Sequence, residues 1–91
     1  MNIQVQLFSI LRDSLPPDAQ RGRTTVILAG GATLADLITH LGIDQRFGFA
    51  PEEITTKAGW QVMVSDKFER DMGRVLQDGD EVKILPPISG G

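Results

Sequence analysis

The stretch from Thr33 to Gly42 constrains the fold more than any other part of this chain. Thr33 is a favoured helix N-cap, and Asp36 three residues on supplies an acidic form of the reciprocal capping box. Leu34, Leu37, Ile38 and Leu41 then recur at helical spacing and make a single apolar stripe. Gly42 stands where a left-handed terminator belongs. On either side of this helix the hydrophobic period drops to two. In the segment from Asn2 to Phe8, Ile3, Val5 and Leu7 share one face, and Asn2, Gln4 and Gln6 the other. Thr24 to Leu28 is rich in β-branched residues and reads as a second strand. Trp60 to Val64 reads as a third, with Val62 and Val64 on one face. Ser65-Asp66 reads as a turn into a short edge strand at Lys67 to Glu69. Asp78-Gly79-Asp80 is a tight-turn signal before a last strand, Glu81 to Leu85, which buries Val82 and Ile84. Two strands before the only long helix predict an α+β fold, with the helix laid across one face of a sheet.

The segments between these elements say less. Ile10 to Leu15 predicts a short helical turn stopped by Pro16-Pro17. Ile43 to Gly59 predicts a long loop with one helical turn opened by Pro51. The chain has 91 residues, the size of one domain. Residues 1–85 are expected to form it, and residues 86–91 a flexible tail. Hydrophobic residues at 41% and charged residues at 23% are an ordinary globular mix, which argues against disorder throughout. The formal net charge of −3, with no basic run, disfavours a nucleic-acid partner. The absence of cysteine removes disulfides, thiolate metal sites and cysteine nucleophiles, and it fits a cytoplasmic protein. Asn2-Ile3-Gln4-Val5 after Met1 is unlike a secretion signal. No apolar run approaches the ~18 residues of a membrane span.

The chemistry-bearing candidate is the ending Pro86-Pro87-Ile88-Ser89-Gly90-Gly91. Without Cβ atoms, Gly90 and Gly91 fit a narrow channel as bare backbone and accept angles that other residues resist. Terminal glycines are equally what an unstructured end looks like. Six residues reach at most about 20 Å, and a Pro-Pro base biases them toward extended polyproline II. A docking surface is suggested by alternation. Phe8 falls on the face of Gln4 and Gln6, and Leu85 on the face of Lys83, so both are expected to point away from the helix. Phe68 is a third candidate for that patch, though it also reads as core. Exposed apolar groups that cluster mark partner sites, whereas single ones need no explanation. The remaining candidates are weak. His40 near a helix end reads as solvated. Asp78 and Asp80 read as turn residues rather than calcium ligands. Gly30-Gly31 lacks the lysine of a phosphate loop, and Trp60 reads as packing. No metal site is expected.

Taken together, Leu7-Phe8 with Arg12, Thr33 to Leu37, Asp78 to Val82 and the ending Pro86 to Gly91 resemble the MoaD/ThiS family of small ubiquitin-like sulfur carriers. The Pro-Pro pair makes the ending most similar to the small subunit of molybdopterin synthase; thiamine-pathway carriers usually lack it. Ser65 stands where the family often has Asn, and the tract from Lys67 to Gln77 is longer than usual. The resemblance implies a β-grasp fold, a mixed sheet of about four or five strands with one main helix across one face. It also implies that Gly91 is adenylated and converted to a thiocarboxylate, with Gly90 giving access. Phe8, Phe68, Leu85, Pro86, Pro87 and Ile88 would dock partners. Those partners would be an ATP-dependent ubiquitin-activating-type adenylyltransferase and the large subunit of molybdopterin synthase or another sulfur acceptor. The chain would bind no cofactor stably and would be non-catalytic alone, the ATP being used by the activating enzyme. Three alternatives stay open: a carrier serving thiamine, cysteine or thionucleoside synthesis, a modifier joined to lysines, and an interaction module without terminal chemistry.

Overall fold

The computed structural model describes residues 1–8 and 22–87. The expected helical turn at Ile10 to Leu15, Arg12, and the tail residues Ile88, Ser89, Gly90 and Gly91 lie outside the described residues. In chain order the elements are β1 (Asn2–Leu7), β2 (Arg23–Ile27), α1 (Leu34–Leu41), α2 (Ile43–Phe47), a 3-10 turn (Pro51–Glu53), β3 (Gln61–Val64), β4 (Lys67–Phe68) and β5 (Glu81–Leu85). The strands form one mixed sheet in the order β2-β1-β5-β3-β4. Only β1 and β5, at its centre, run parallel; β2, β3 and β4 each join antiparallel.

The period-two pattern decides which face is covered. Ile3, Val5 and Leu7 of β1, Val26 of β2, Val62 and Val64 of β3, and Val82 and Ile84 of β5 are all buried. They join Leu34, Leu37 and Ile38 of α1 in a single core cluster. Removing a large side chain from such a core typically costs about 2–5 kcal/mol. The helix ends as its sequence predicts. Thr33 and Asp36 form the reciprocal capping box, and Gly42 adopts φ 75°.

The start of α1 is also tied to the sheet by a connection whose role the sequence does not announce. Four backbone N–H groups at a helix start have no partner inside the helix. Here Thr33 N–H donates to Asp36 Oδ2 at 2.9 Å and Asp36 N–H to Thr33 Oγ1 at 3.2 Å. Leu34 N–H donates to the carbonyl of Arg74 at 3.0 Å, and Ala35 N–H to that of Met72 at 2.9 Å. Leu76 N–H returns a bond to the Ala32 carbonyl at 2.8 Å. The extended tract between β4 and β5 therefore completes the helix cap. Glu69 holds that tract in shape: its carboxylate accepts from Asp71 N–H at 3.3 Å and from the Arg74 guanidinium at 3.1 Å.

One segment and the bounds of three strands differ from expectation. The segment from Ile43 to Gly59 holds more structure than a loop with one turn, namely α2 as well as the 3-10 turn. Ile43 and Ile54 anchor it in the core, and Phe47 meets the buried Trp60 edge-on at 5.0 Å, with Phe49 tilted on the same ring at 5.7 Å. β2 runs Arg23–Ile27 rather than from Thr24 to Leu28, β3 begins at Gln61 rather than Trp60, and β4 ends at Phe68 rather than Glu69.

Candidate functional site

The strand register fixes which side chains lie on the sheet face opposite α1. Across the middle of that face run Arg23, Gln6, Lys83, Met63 and Phe68, one from each strand in spatial order. In the next row Gln61 lies opposite Leu85, and Phe8 follows Leu7, which pairs with Ile84. Phe8 therefore extends β1 beside Leu85. Phe8, Leu85 and Met63 are half-buried, and Phe68 is 66% exposed. The core reading of Phe68 falls away, and it takes its place with the other two candidates. Met63 completes the patch and was not singled out from the sequence. The signal was present, because Val62 and Val64 inward place Met63 outward.

The patch adjoins the point where the chain leaves the sheet. β5 is paired on both sides, to β1 as far as Ile84 and to β3 as far as Leu85. Pro86 lacks an N–H and cannot continue the ladder. Pro86 is half-buried and Pro87 exposed. The chain therefore leaves the sheet from its central strand and beside an apolar surface. The catalytic candidates Gly90 and Gly91, and the docking candidate Ile88, lie beyond the described residues.

The other polar candidates have structural roles. Asp78 Oδ1 accepts from Asn2 N–H at 2.6 Å and Asp80 Oδ2 from Gln77 N–H at 2.8 Å, so both carboxylates brace the turn into β5. His40 is exposed in the last turn of α1. Among the described residues no cluster of His, Cys, Asp or Glu could hold a metal ion, and no helix is long and apolar enough to cross a membrane.

A five-stranded mixed sheet with parallel central strands and one main helix across one face defines a ubiquitin-like β-grasp protein. The sequence model of the ThiS family matches residues 5–91, and the chain belongs to that family, which groups ubiquitin-like sulfur carriers and modifiers. A comparison with curated protein sequences finds no match. Among solved structures the chain is similar to SAMP1 from Haloferax volcanii, with TM-score 0.68, 21% identity and full coverage of both chains. It is similar to small archaeal modifier protein 1 from Methanosarcina acetivorans, with TM-score 0.61 and 22% identity over 99% of this chain and 96% of that one. It is also similar to a chain in the complex of subunits 1 and 2 of molybdopterin-converting factor from Helicobacter pylori, with TM-score 0.55, 22% identity and full coverage of both chains. At these identities the likeness is one of fold.

Proposed function

We propose that this chain is a cytoplasmic sulfur carrier whose reactive group is the Gly91 carboxylate, delivering sulfur in molybdopterin synthesis. One observation carries the reading: the strand that launches the tail is held on both sides at the centre of the sheet and emerges beside the Phe8, Leu85, Met63 and Phe68 patch. A partner seated on that patch finds the tail at a fixed origin. The Pro86-Pro87 pair limits collapse of the tail onto the domain, which lowers the entropy cost of threading it into an active site.

The chemistry follows from the carboxylate. It is a poor electrophile, so a ubiquitin-activating-type adenylyltransferase attaches AMP from ATP through a mixed anhydride and releases pyrophosphate. A hydrosulfide-level sulfur donor attacks the acyl carbon, the bond to AMP breaks, and the thiocarboxylate remains. That sulfur is delivered in the active site of an acceptor enzyme, and the carrier supplies no catalytic side chain. Similarity to a chain in the molybdopterin-converting factor complex and the Pro-Pro pair favour the large subunit of molybdopterin synthase as acceptor.

The test is intact mass spectrometry of the chain incubated with ATP, its activating enzyme and sulfide. The expected product carries one sulfur in place of one oxygen, and a chain lacking Gly90 and Gly91 gives none. An unchanged mass with the activating enzymes of the same genome overturns the reading. Similarity to small archaeal modifier protein 1 favours a second reading, conjugation of Gly91 to lysines. Lysine-linked adducts in lysate, without thiocarboxylate, would establish that reading instead.

A further inference from the structure

The open face carries a charge feature that the apolar patch does not explain. Arg23 and Lys83 flank Gln6 in the same row. Neighbouring strands lie about 4.8 Å apart, so the two cationic residues stand about 10 Å apart along the sheet. Between them is a shallow depression of about 140 Å³, lined by Gln4, Gln6, Arg23, Glu81 and Lys83 together with the strands beneath. Among the described residues Glu81 is the only acidic strand residue of this face, although the chain as a whole carries −3. Arg23 is exposed and makes no side-chain hydrogen bond or ion pair among the described residues. Lys83 is held 3.3 Å from Asp66, a turn carboxylate whose own side chain is 77% exposed, while the Lys83 side chain is only 30% exposed. An exposed pair of this kind is weak and yields to a competing charge.

Lys83 lies between Gln6 and Met63, so any body that covers the patch also takes Lys83 out of water. Covering Lys83 with only the exposed Asp66 to meet its charge costs desolvation, and an acid on the partner offsets that cost. We infer that the protein partner docking on this face presents carboxylates that meet Arg23 and Lys83, next to an apolar seat for Phe8, Leu85 and Met63. The partner's acid takes Lys83 over from Asp66. The net negative charge of the chain does not prevent this, since screening confines such interactions to about 8 Å at physiological salt. This inference rests on the reading that the face docks the acceptor enzyme.

Association rates of the full chain with the large subunit of molybdopterin synthase from the same genome, measured by stopped flow across a sodium chloride series, test it. Steering by complementary charge raises association rates and fades with salt, so Arg23→Glu and Lys83→Glu should each slow association about tenfold at low salt and little at high salt. Asp66→Asn, which keeps the shape and tolerates the left-handed backbone at that position, should speed association about two- to threefold. Lys57→Glu, the same charge change at an exposed residue that pairs with Glu53 outside the sheet, between the 3-10 turn and β3, should stay within about twofold. Circular dichroism checks that each variant folds. A salt-insensitive wild type, or Lys57→Glu slowing association as much as Lys83→Glu, overturns the charge inference while leaving the carrier reading in place. Absence of any association by the wild type overturns the proposed acceptor and this inference together.

Discussion

Ser65 and Asp66 turn the chain between β3 and β4 with φ of 48° and 70°, both left-handed and neither glycine. An L-residue with a side chain pays about 1–2 kcal/mol for that conformation, and Asn pays less because its short amide bonds locally. Ser65→Asn should therefore stabilise the fold by about 0.5–1 kcal/mol. Calorimetry should show a midpoint a few degrees higher, and a lower midpoint would count against this account of the turn. Thr33 offers the opposite case. Its hydroxyl accepts the Asp36 N–H at 3.2 Å, and Thr33→Ala leaves that donor without the bond. The expected loss is about 1 kcal/mol, read from urea unfolding with unchanged slope. At this scale the sequence is transparent: Thr33, Asp36 and Gly42 announce their roles because side-chain chemistry and backbone angle set them locally. Met63 is legible only once the whole strand is placed.

The tract between β4 and β5 carried no such announcement. It caps α1 through the backbone carbonyls of Met72 and Arg74, which every residue possesses and which leave no mark in a sequence. α2 is equally quiet, because five residues are too few to show a period and its anchors, Ile43 and the Phe47–Trp60 contact, are tertiary. The tract is, however, sensitive to acid. The N–H of Asp71, and next the Arg74 guanidinium, hold the Glu69 carboxyl below its ordinary value. A folded value below the unfolded one means that the stabilisation is complete above the usual Glu range, near pH 4.3, and fades as pH falls through the folded value. Acidification should therefore loosen this tract first. Amide exchange at Leu34 and Ala35, corrected for its intrinsic pH dependence, should accelerate before that at Val82 and Ile84. Simultaneous loss at all four amides would contradict the role given to Glu69.

For the molecule as a whole, the division of labour between its two faces was largely readable, because period two assigns Ile3, Val5, Leu7, Val82 and Ile84 to one side and leaves Phe8 and Leu85 for the other. The exposure of Phe68 was not, since an aromatic residue on a two-residue edge strand fits either environment until its register with Met63 is known. With 66% of its surface already in water, Phe68 contributes little to folding. Phe68→Ser should shift the thermal midpoint by no more than about 2 °C, corresponding to roughly 0.5 kcal/mol or less. The same variant should weaken capture of the acceptor enzyme in a binding titration. A large fall in midpoint would return Phe68 to the core.

The parallel pairing of β1 with β5 has a mechanical meaning. Tension applied between the start of β1 and the end of β5 runs along the two strands in opposite directions. It loads their hydrogen bonds side by side in shear instead of opening them in turn like a zipper. A machine that hauls on the tail while the start of β1 is held thus pulls against this seam in shear, and the domain behaves as a handle rather than as thread.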